Sequence, residues 1–208
     1  MSLTLVIGTR QFSSWSLRPW IALKQIGADF REILIPLRQP DTKAHILAHS
    51  PGGKVPILID GDLTIWDSLS ILEHLAERFP SHALWPADPV ARVLARSVSA
   101  EMHSGFAALR KELGMEITST LPTPDLTPEA AADVARVQKI WTDARARFGS
   151  AGPFLFGRFT NADAMYAPVA TRFRTYGIQL DPVCERYVAT IMDLPALAEW
   201  RDKAAQGV

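Results

Sequence analysis

The sequence predicts an α/β domain followed by an all-helical domain. Strand-like and helix-like patterns alternate over the first part of the chain, whereas no convincing strand pattern follows residue 90. The segment between the two parts carries Pro86 and Pro89 and has no periodicity, which is typical of a linker. We therefore expect an α/β domain at residues 1–80, a linker at 81–89 and a helical domain at 90–208.

The first domain begins with a strand, a helix and a second strand. Residues 3–7 form a short apolar run, residues 17–26 have apolar side chains at helical spacing, and residues 30–37 predict another strand. Because a helix separates these strands, we expect them to pair in parallel through a right-handed crossover. Residues 41–49 predict a short second helix.

A hairpin and a third helix complete this domain. Apolar runs at 55–59 and 63–65 flank Asp60-Gly61-Asp62, and an Asp-Gly turn between such runs is a strong hairpin signal. Leucine and other apolar residues then recur at helical spacing over 69–79. The order of elements predicts a mixed four-stranded sheet with helices.

The second domain is predicted to contain only helices. Long helical segments are predicted at 90–120 and 128–148. Thr160 is expected to cap another helix, because Asp163 follows it in the capping-box position. Two shorter helices are expected at 181–192 and 195–204.

Composition limits the classes of function. The 22 basic and 22 acidic residues cancel, which argues against a protein that coats nucleic acid or an acidic membrane. A content of 48% hydrophobic and 21% charged residues is that of a folded, soluble protein. Cys184 is the only cysteine, so disulfide frameworks and Cys-x-x-Cys redox pairs are excluded. No signal-peptide pattern and no run of about 18 apolar residues is found, and we expect a cytoplasmic protein.

A serine cluster stands at the start of the first helix. Pro19 cannot lie deep in a helix, so Ser13, Ser14 and Ser16 must lie near its N-terminus. Unpaired N–H groups and the helix dipole favour an anion there, and a serine hydroxyl can donate a hydrogen bond to a bound thiolate. The alternative is that these serines only cap the helix.

Two further elements have a similar double interpretation. If the bond before Pro56 is cis, the backbone groups of Val55 turn outward and can pair with an extended peptide; otherwise Pro56 only starts a strand. Asp67-Ser68 begins a helix, where backbone N–H groups can bind a carboxylate or the pair can simply cap.

Taken in order, these motifs resemble the cytosolic glutathione S-transferase superfamily over nearly the whole chain. Ser13-Ser14-Trp15-Ser16-Leu17-Arg18 is similar to the Ser-Ser-Cys-Ser-x-Arg signature of the zeta class. Gly53-Lys54-Val55-Pro56-Ile57-Leu58 and Asp67-Ser68-Leu69-Ser70-Ile71 match the glutathione-binding core. Thr160-Asn161-Ala162-Asp163, with Pro168, matches the capping box of the helical domain.

The resemblance implies a thioredoxin-like domain that binds glutathione and a helical bundle that forms most of the second-substrate pocket. Ser13 would stabilise the glutathione thiolate, and Ser14 would assist or replace it. The remaining glutathione contacts would be Val55 beside a cis Pro56, Asp67 and Ser68 at the γ-glutamyl end, and Lys54, His49 and Gln39 at the glycyl carboxylate. The second pocket would contain Trp15, Met102, His103, Phe106 and Arg110, the last four on one face of the first long helix.

The implied reaction is attack of glutathione sulfur on an electrophilic small molecule by a homodimeric, detoxifying transferase. Trp15 replaces the zeta cysteine, so thiol–disulfide exchange through an active-site cysteine is not available. The arginine that grips a dicarboxylate in the zeta class has no clean counterpart, which leaves a zeta-like isomerase as an alternative. A second alternative is a binding or interaction module without transferase activity.

No metal is expected to take part. His45 and His49 have the spacing of metal ligands on a helix, but the Glu and the third ligand of a His-Glu-x-x-His site are missing.

Overall fold

A computed structural model describes residues 3–207. Its sheet has the order β2-β1-β3-β4, in which β1 pairs with β2 in parallel and the other neighbours are antiparallel. The prediction of a mixed four-stranded sheet with a parallel first pair and a hairpin is therefore confirmed. The strands are β1 (Leu3–Gly8), β2 (Phe30–Ile35), β3 (Ile57–Asp60) and β4 (Leu63–Trp66).

The two faces of the sheet are buried by different helices. Leu5 and Ile7 of β1 join the main core with residues of the first and third helices, whereas Val6 points the other way and packs with Ile46 of the second helix. This alternation is the two-residue period of a strand. The helices of this half are α1 (Ser14–Gln25), α2 (Thr42–Leu47) and α3 (Ser68–Arg78).

The rest of the described chain, apart from two isolated bridges at 154–158, is helical or irregular. α7 is buried along almost its whole length and packs against α1, α4 and α8, which explains its run of small apolar residues. Within residues 3–207, no helix is long and apolar enough to cross a membrane. The helices are α4 (Pro89–Ser104), α5 (Ala107–Glu112), α6 (Pro128–Phe148), α7 (Asn161–Thr175), α8 (Pro182–Met192) and α9 (Pro195–Ala205).

The prediction of one helix over 90–120 is wrong. α4 ends at Ser104, and Phe106 adopts a left-handed conformation with φ of 57° before the short α5 begins. A Cβ on Gly105 would lie 2.7 Å from the carbonyl oxygen of Glu101, so glycine permits this sharp break. Phe106 and Arg110 consequently do not continue the face of α4 that carries Met102 and His103.

The predicted capping box at the start of α7 is present. Asp163 is fully buried and accepts hydrogen bonds from the N–H groups of Leu155 at 3.1 Å and Thr160 at 2.8 Å. It also accepts from the hydroxyls of Thr160 at 2.9 Å and Tyr187 at 3.1 Å. Burial nevertheless dominates and raises the pKa of Asp163 to about 6.

We predict that Asp163 makes stability depend on pH. Because its pKa is raised on folding, its contribution is full below about pH 4 and is lost as the pH rises through about 6. Relative to Asp163→Asn, which cannot ionise, the wild type should lose about 3 kcal/mol of unfolding free energy between pH 4 and pH 7. Urea denaturation of both proteins across this range measures the difference, and a pH-independent difference would contradict the raised pKa.

Candidate functional site

A cavity of about 730 Å³ lies between the start of α1, the segment before β3 and the start of α3. Its volume is that of a site for a small molecule. His103 of α4 closes it from the helical half of the chain. The lining residues are Phe12, Ser13, Trp15, Leu37, Ile46, Gly52, Gly53, Lys54, Val55, Pro56, Trp66, Asp67, Ser68 and His103.

The cavity brings together eight of the residues singled out from the sequence: Ser13, Trp15, Lys54, Val55, Pro56, Asp67, Ser68 and His103. The other six lie outside its lining. Met102 and Phe106 are core residues with 1% and 6% exposure, so both side chains contribute to packing rather than to the cavity wall. Ser14, Gln39, His49 and Arg110 also lie outside the lining.

Ser13 is the N-cap residue of α1, yet its side chain makes no capping hydrogen bond. Its hydroxyl instead lies 2.8 Å from the hydroxyl of Ser16, which is completely buried. The interpretation of Ser13 as a plain helix cap is therefore wrong. Its hydroxyl is available at the cavity wall, beside the positive end of the helix dipole.

The segment before β3 presents backbone groups and a cation. The Val55–Pro56 bond is cis, as the outward-facing interpretation of Val55 requires. The N–H and carbonyl of Val55 take part in no hydrogen bond with residues 3–207. Lys54 is exposed, lines the cavity and has no ion pair within the described chain. The segment can therefore pair with an extended ligand and attract its negative charge.

Asp67 and Ser68 lie at the start of α3 and differ in whether their side chains already have hydrogen-bond partners. One carboxylate oxygen of Asp67 accepts the N–H groups of Leu69 at 2.9 Å and Ser70 at 3.4 Å, so this residue does cap the helix. The other oxygen lies 3.1 Å from Nε2 of His103, which joins the two halves of the chain across the cavity. The hydroxyl of Ser68 is buried and has no partner among residues 3–207. It remains free for a ligand, which fits the expected carboxylate contact.

Trp15 contacts two arginines whose proximity no sequence pattern predicted. The guanidinium of Arg18 lies 4.1 Å from the centroid of its ring and that of Arg110 lies 5.4 Å away, both within cation–π range. His103 meets the same ring edge-on at 5.3 Å. The ring thus separates the cavity from a cluster of positive charge.

Carboxylates offset this charge only in part, since Asp67 and Asp133 raise the pKa values of Arg18 and Arg110 less than burial lowers them. Arg18 and Arg172 are buried, and neither they nor Arg110 form an ion pair with any described residue. Burial, followed by the charges of Arg172 and Arg110, lowers the pKa of Arg18 to about 9. Burial and then Arg110 lower the pKa of Arg172 to about 10. The cluster Arg18, Arg110 and Arg172 would therefore favour an anion nearby.

Sequence reasoning assigned no role to Ser16, Arg18 or Arg172. Ser16 and Arg18 were visible as part of the signature at the start of α1, but their partners lie elsewhere in the chain. Arg172 donates to the carbonyls of Arg110 at 3.1 Å and Leu113 at 2.8 Å, contacts that no local pattern predicts.

Two other chemistries find no support among the residues that the structure describes. No group of three or more His, Cys, Asp or Glu side chains is close enough to hold a metal. Cys184 is buried and is not among the residues that line the cavity, and burial raises the pKa of its thiol to about 12. Such a thiol is a poor nucleophile.

Family profiles match both halves of the chain. The profile of the N-terminal domain of glutathione S-transferase matches residues 12–78, and that of its C-terminal domain matches residues 92–203. A probable maleylacetoacetate isomerase of Caenorhabditis elegans is 32% identical over 48% of this chain and 46% of its own length. Glutathione S-transferase Z2 of Arabidopsis thaliana is 25% identical over 88% of this chain and 84% of its own. A stringent starvation protein A homolog of Coxiella burnetii is 26% identical over 86% and 80%.

Solved structures share the fold. A glutathione transferase homologue from Burkholderia, crystallised with bound glutathione, superposes with a TM-score of 0.74 at 23% identity and covers 100% of both chains. A Tau class glutathione S-transferase from mango gives a TM-score of 0.73 at 20% identity, covering 99% of this chain and 96% of its own.

We predict that Ser68→Ala stabilises the ligand-free protein. A buried hydroxyl without a partner costs free energy, so its removal should raise the unfolding free energy by about 1 kcal/mol. Ser50→Ala is a matched control, because Ser50 is also buried but its hydroxyl accepts the N–H of Gly52 at 3.2 Å. This control should lose about 1 kcal/mol. Chemical denaturation of both variants measures whether each substitution raises or lowers the unfolding free energy. A loss of stability in Ser68→Ala would contradict the prediction.

Proposed function

The chain belongs to the glutathione S-transferase family, and from this premise we propose that it binds glutathione in the cavity and activates its thiol beside Ser13. The observation that carries the proposal is that the hydroxyl of Ser13 lies at the wall of the cavity and is not used to cap its helix. The unpartnered backbone of Val55 and the unpartnered hydroxyl of Ser68 lie at the same cavity.

These groups suit the parts of a γ-glutamyl tripeptide. The backbone of Val55 would pair with the cysteinyl unit as a short added strand. Ser68 would hold the γ-glutamyl carboxylate at the N-terminus of α3, where the helix dipole favours an anion. Lys54 is the best placed cation for the glycyl carboxylate, whereas His49 and Gln39 lie outside the lining of the cavity. The carboxylate of Asp67 already caps α3 and pairs with His103, so its part at the γ-glutamyl end would be shared with these contacts.

The proposed chemistry needs only an ionised sulfur. A hydrogen bond from Ser13 and the dipole of α1 favour the thiolate over the thiol, so the thiol proton passes to solvent more readily. The sulfur then forms a bond to an electrophilic carbon, and a displaced group leaves with the bonding electrons or the electrophile takes up a proton. Trp15 and His103 would contact the second substrate.

We further propose the assembly and location that are typical of the family. Residues 1–80 would bind glutathione, and the helices after the linker at 81–89 would supply the second-substrate pocket. The location would be the cytoplasm. A two-fold homodimer is supported by exposed apolar side chains on α4 and β4, which a partner would cover: Val90, Val93 and Leu63.

Our first functional prediction concerns Ser13. Ser13→Ala should raise the pKa of the bound glutathione thiol by about one to two units, because the thiolate loses its hydrogen-bond donor. At neutral pH, kcat/KM with an electrophilic acceptor should fall about tenfold to a hundredfold. Ultraviolet titration of the bound thiolate and steady-state kinetics measure the two effects.

Ser14→Ala is the matched control, since Ser14 is also buried at the start of α1 but lies outside the lining of the cavity. We expect it to retain most of the activity. Full turnover by Ser13→Ala would contradict the proposal that Ser13 stabilises the glutathione thiolate. Absence of turnover in the wild type, with glutathione still bound, would favour the interaction-module alternative.

A second candidate function is a zeta-like, glutathione-dependent isomerase that acts on an acidic substrate. The cluster of Arg18, Arg110 and Arg172 favours it, because these cations interact with one another and none of them forms an ion pair with a described residue. Arg110 is only half-buried and is therefore the member that a substrate carboxylate could reach. The nematode relative, whose name is that of a probable isomerase, agrees with this reading.

We predict that Arg110→Gln discriminates between acceptors. For an acceptor with a carboxylate, KM should rise about tenfold, because a charge-assisted contact is lost. For a neutral acceptor of similar size, KM should hardly change. Arg174→Gln is the control, because Arg174 is an exposed arginine of α7 that, unlike Arg110, has no cation–π contact with Trp15 in the described chain. Equal effects on both acceptors would exclude a carboxylate contact at Arg110.

A further inference from the structure

Ser16 is the least exposed member of the serine cluster, and the function proposed above gives it no task. It is the third residue of α1 and has 0% exposure. Its hydroxyl oxygen accepts the backbone N–H of Gly8 at 3.0 Å and lies 2.8 Å from the hydroxyl oxygen of Ser13. Ser16 therefore connects the end of β1 to the wall of the cavity.

The positions of the two hydroxyl hydrogens follow from the partners available to them. Ser16 has no acceptor other than Ser13 among the hydrogen bonds of residues 3–207. In the ligand-free structure the hydroxyl of Ser13 donates to Ser16, which leaves the hydrogen of Ser16 buried without an acceptor, and this is costly. Once a bound thiolate accepts the hydrogen of Ser13, Ser16 can donate to Ser13 in turn, and all of these groups are then satisfied. Hydroxyl hydrogens rotate freely enough to adopt the second arrangement.

We propose that Ser16 is a positioning residue that orients and polarises the hydroxyl of Ser13 toward the bound sulfur. The chain of donors runs from the N–H of Gly8 to Ser16, from Ser16 to Ser13, and from Ser13 to the thiolate. Each bond in such a chain strengthens the next, because a donor that accepts a hydrogen bond becomes a better donor. This inference rests on the proposed function of Ser13 and extends it to a residue that contacts no ligand.

The beginning of the chain is fixed by packing. Gly8 is the last residue of β1, and a Cβ at this position would lie 2.5 Å from the side chain of Leu37. β1 pairs with both β2 and β3 inside the sheet. The N–H of Gly8 thus belongs to a central strand of the sheet, which fixes the position of the hydroxyl oxygen of Ser16 before any ligand binds.

The test is the titration of glutathione bound to Ser16→Ala. We expect the pKa of the bound thiol to rise by about half to one pH unit, less than in Ser13→Ala, because one member of the chain is lost but the final donor remains. The affinity for a glutathione analogue without sulfur should not change. Ser16→Thr, which restores a hydroxyl, should return the pKa toward the wild-type value.

Ser99→Ala is a matched control, because Ser99 is equally buried but its hydroxyl donates to the carbonyl of Ala95 in α4. If Ser16→Ala does not fold, Ser16→Cys supplies a weaker donor of similar size and should shift the pKa in the same direction. A bound-thiol pKa that rises in Ser13→Ala but not in any Ser16 variant would overturn the inference and leave the proposed function intact. A pKa unchanged even in Ser13→Ala would overturn both.

Discussion

The position of the connection between β1 and α1 is the constraint on which the rest of the site depends. Four hydrogen bonds to the helical half hold it. Trp200 Nε1 donates to the carbonyl of Arg10 at 3.0 Å, and the N–H of Ile117 donates to the carbonyl of Gln11 at 3.2 Å. The Gln11 side chain accepts from the Thr118 hydroxyl at 2.8 Å and donates to Glu116 at 2.9 Å. Residues distant in sequence therefore fix where α1 begins. The orientation of the first turn of a helix decides where its free N–H groups and its first hydroxyls point. The residues of the helical half therefore also fix the position of the cavity wall.

Two side chains at or near the cavity keep polar atoms unpartnered at a cost in stability. The hydroxyl of Ser68, which lines the cavity, and Nε and Nη1 of Arg18, which lies beside Trp15, are buried and lack partners in the described chain. A core that served folding alone would be more stable with apolar side chains at such positions. Groups of this kind are expected where a site is organised for a ligand that supplies the missing acceptors, so stability and binding are in opposition here.

Sequence patterns predicted the features that depend on neighbouring residues. The Asp60-Gly61-Asp62 turn, the cap at Asp67 and the capping box at Thr160 are local, and the structure has all three. The end of α4 was missed, because the apolar spacing continues through Gly105 and only the backbone geometry reveals the break. The partners of Ser16 and Arg172 were also missed. They depend on how β1 meets α1 and how α7 meets α5, and no local pattern reports such contacts.

The same long-range contacts bear on whether the chain is a catalyst or only a binding module. A binding module needs the backbone of Val55 and the hydroxyl of Ser68, but it gains nothing from an oriented hydroxyl next to a bound sulfur. Here the hydroxyl of Ser13 does not cap its helix, and the neighbouring Ser16 accepts a hydrogen bond from the N–H of Gly8 at the end of β1. An ordered donor lowers the pKa of a thiol more than it strengthens the binding of a neutral one, because the hydrogen bond is stronger to the anion. Under the proposed function, the arrangement would therefore favour ionisation of the thiol over retention of glutathione, which is the property that a transferase requires.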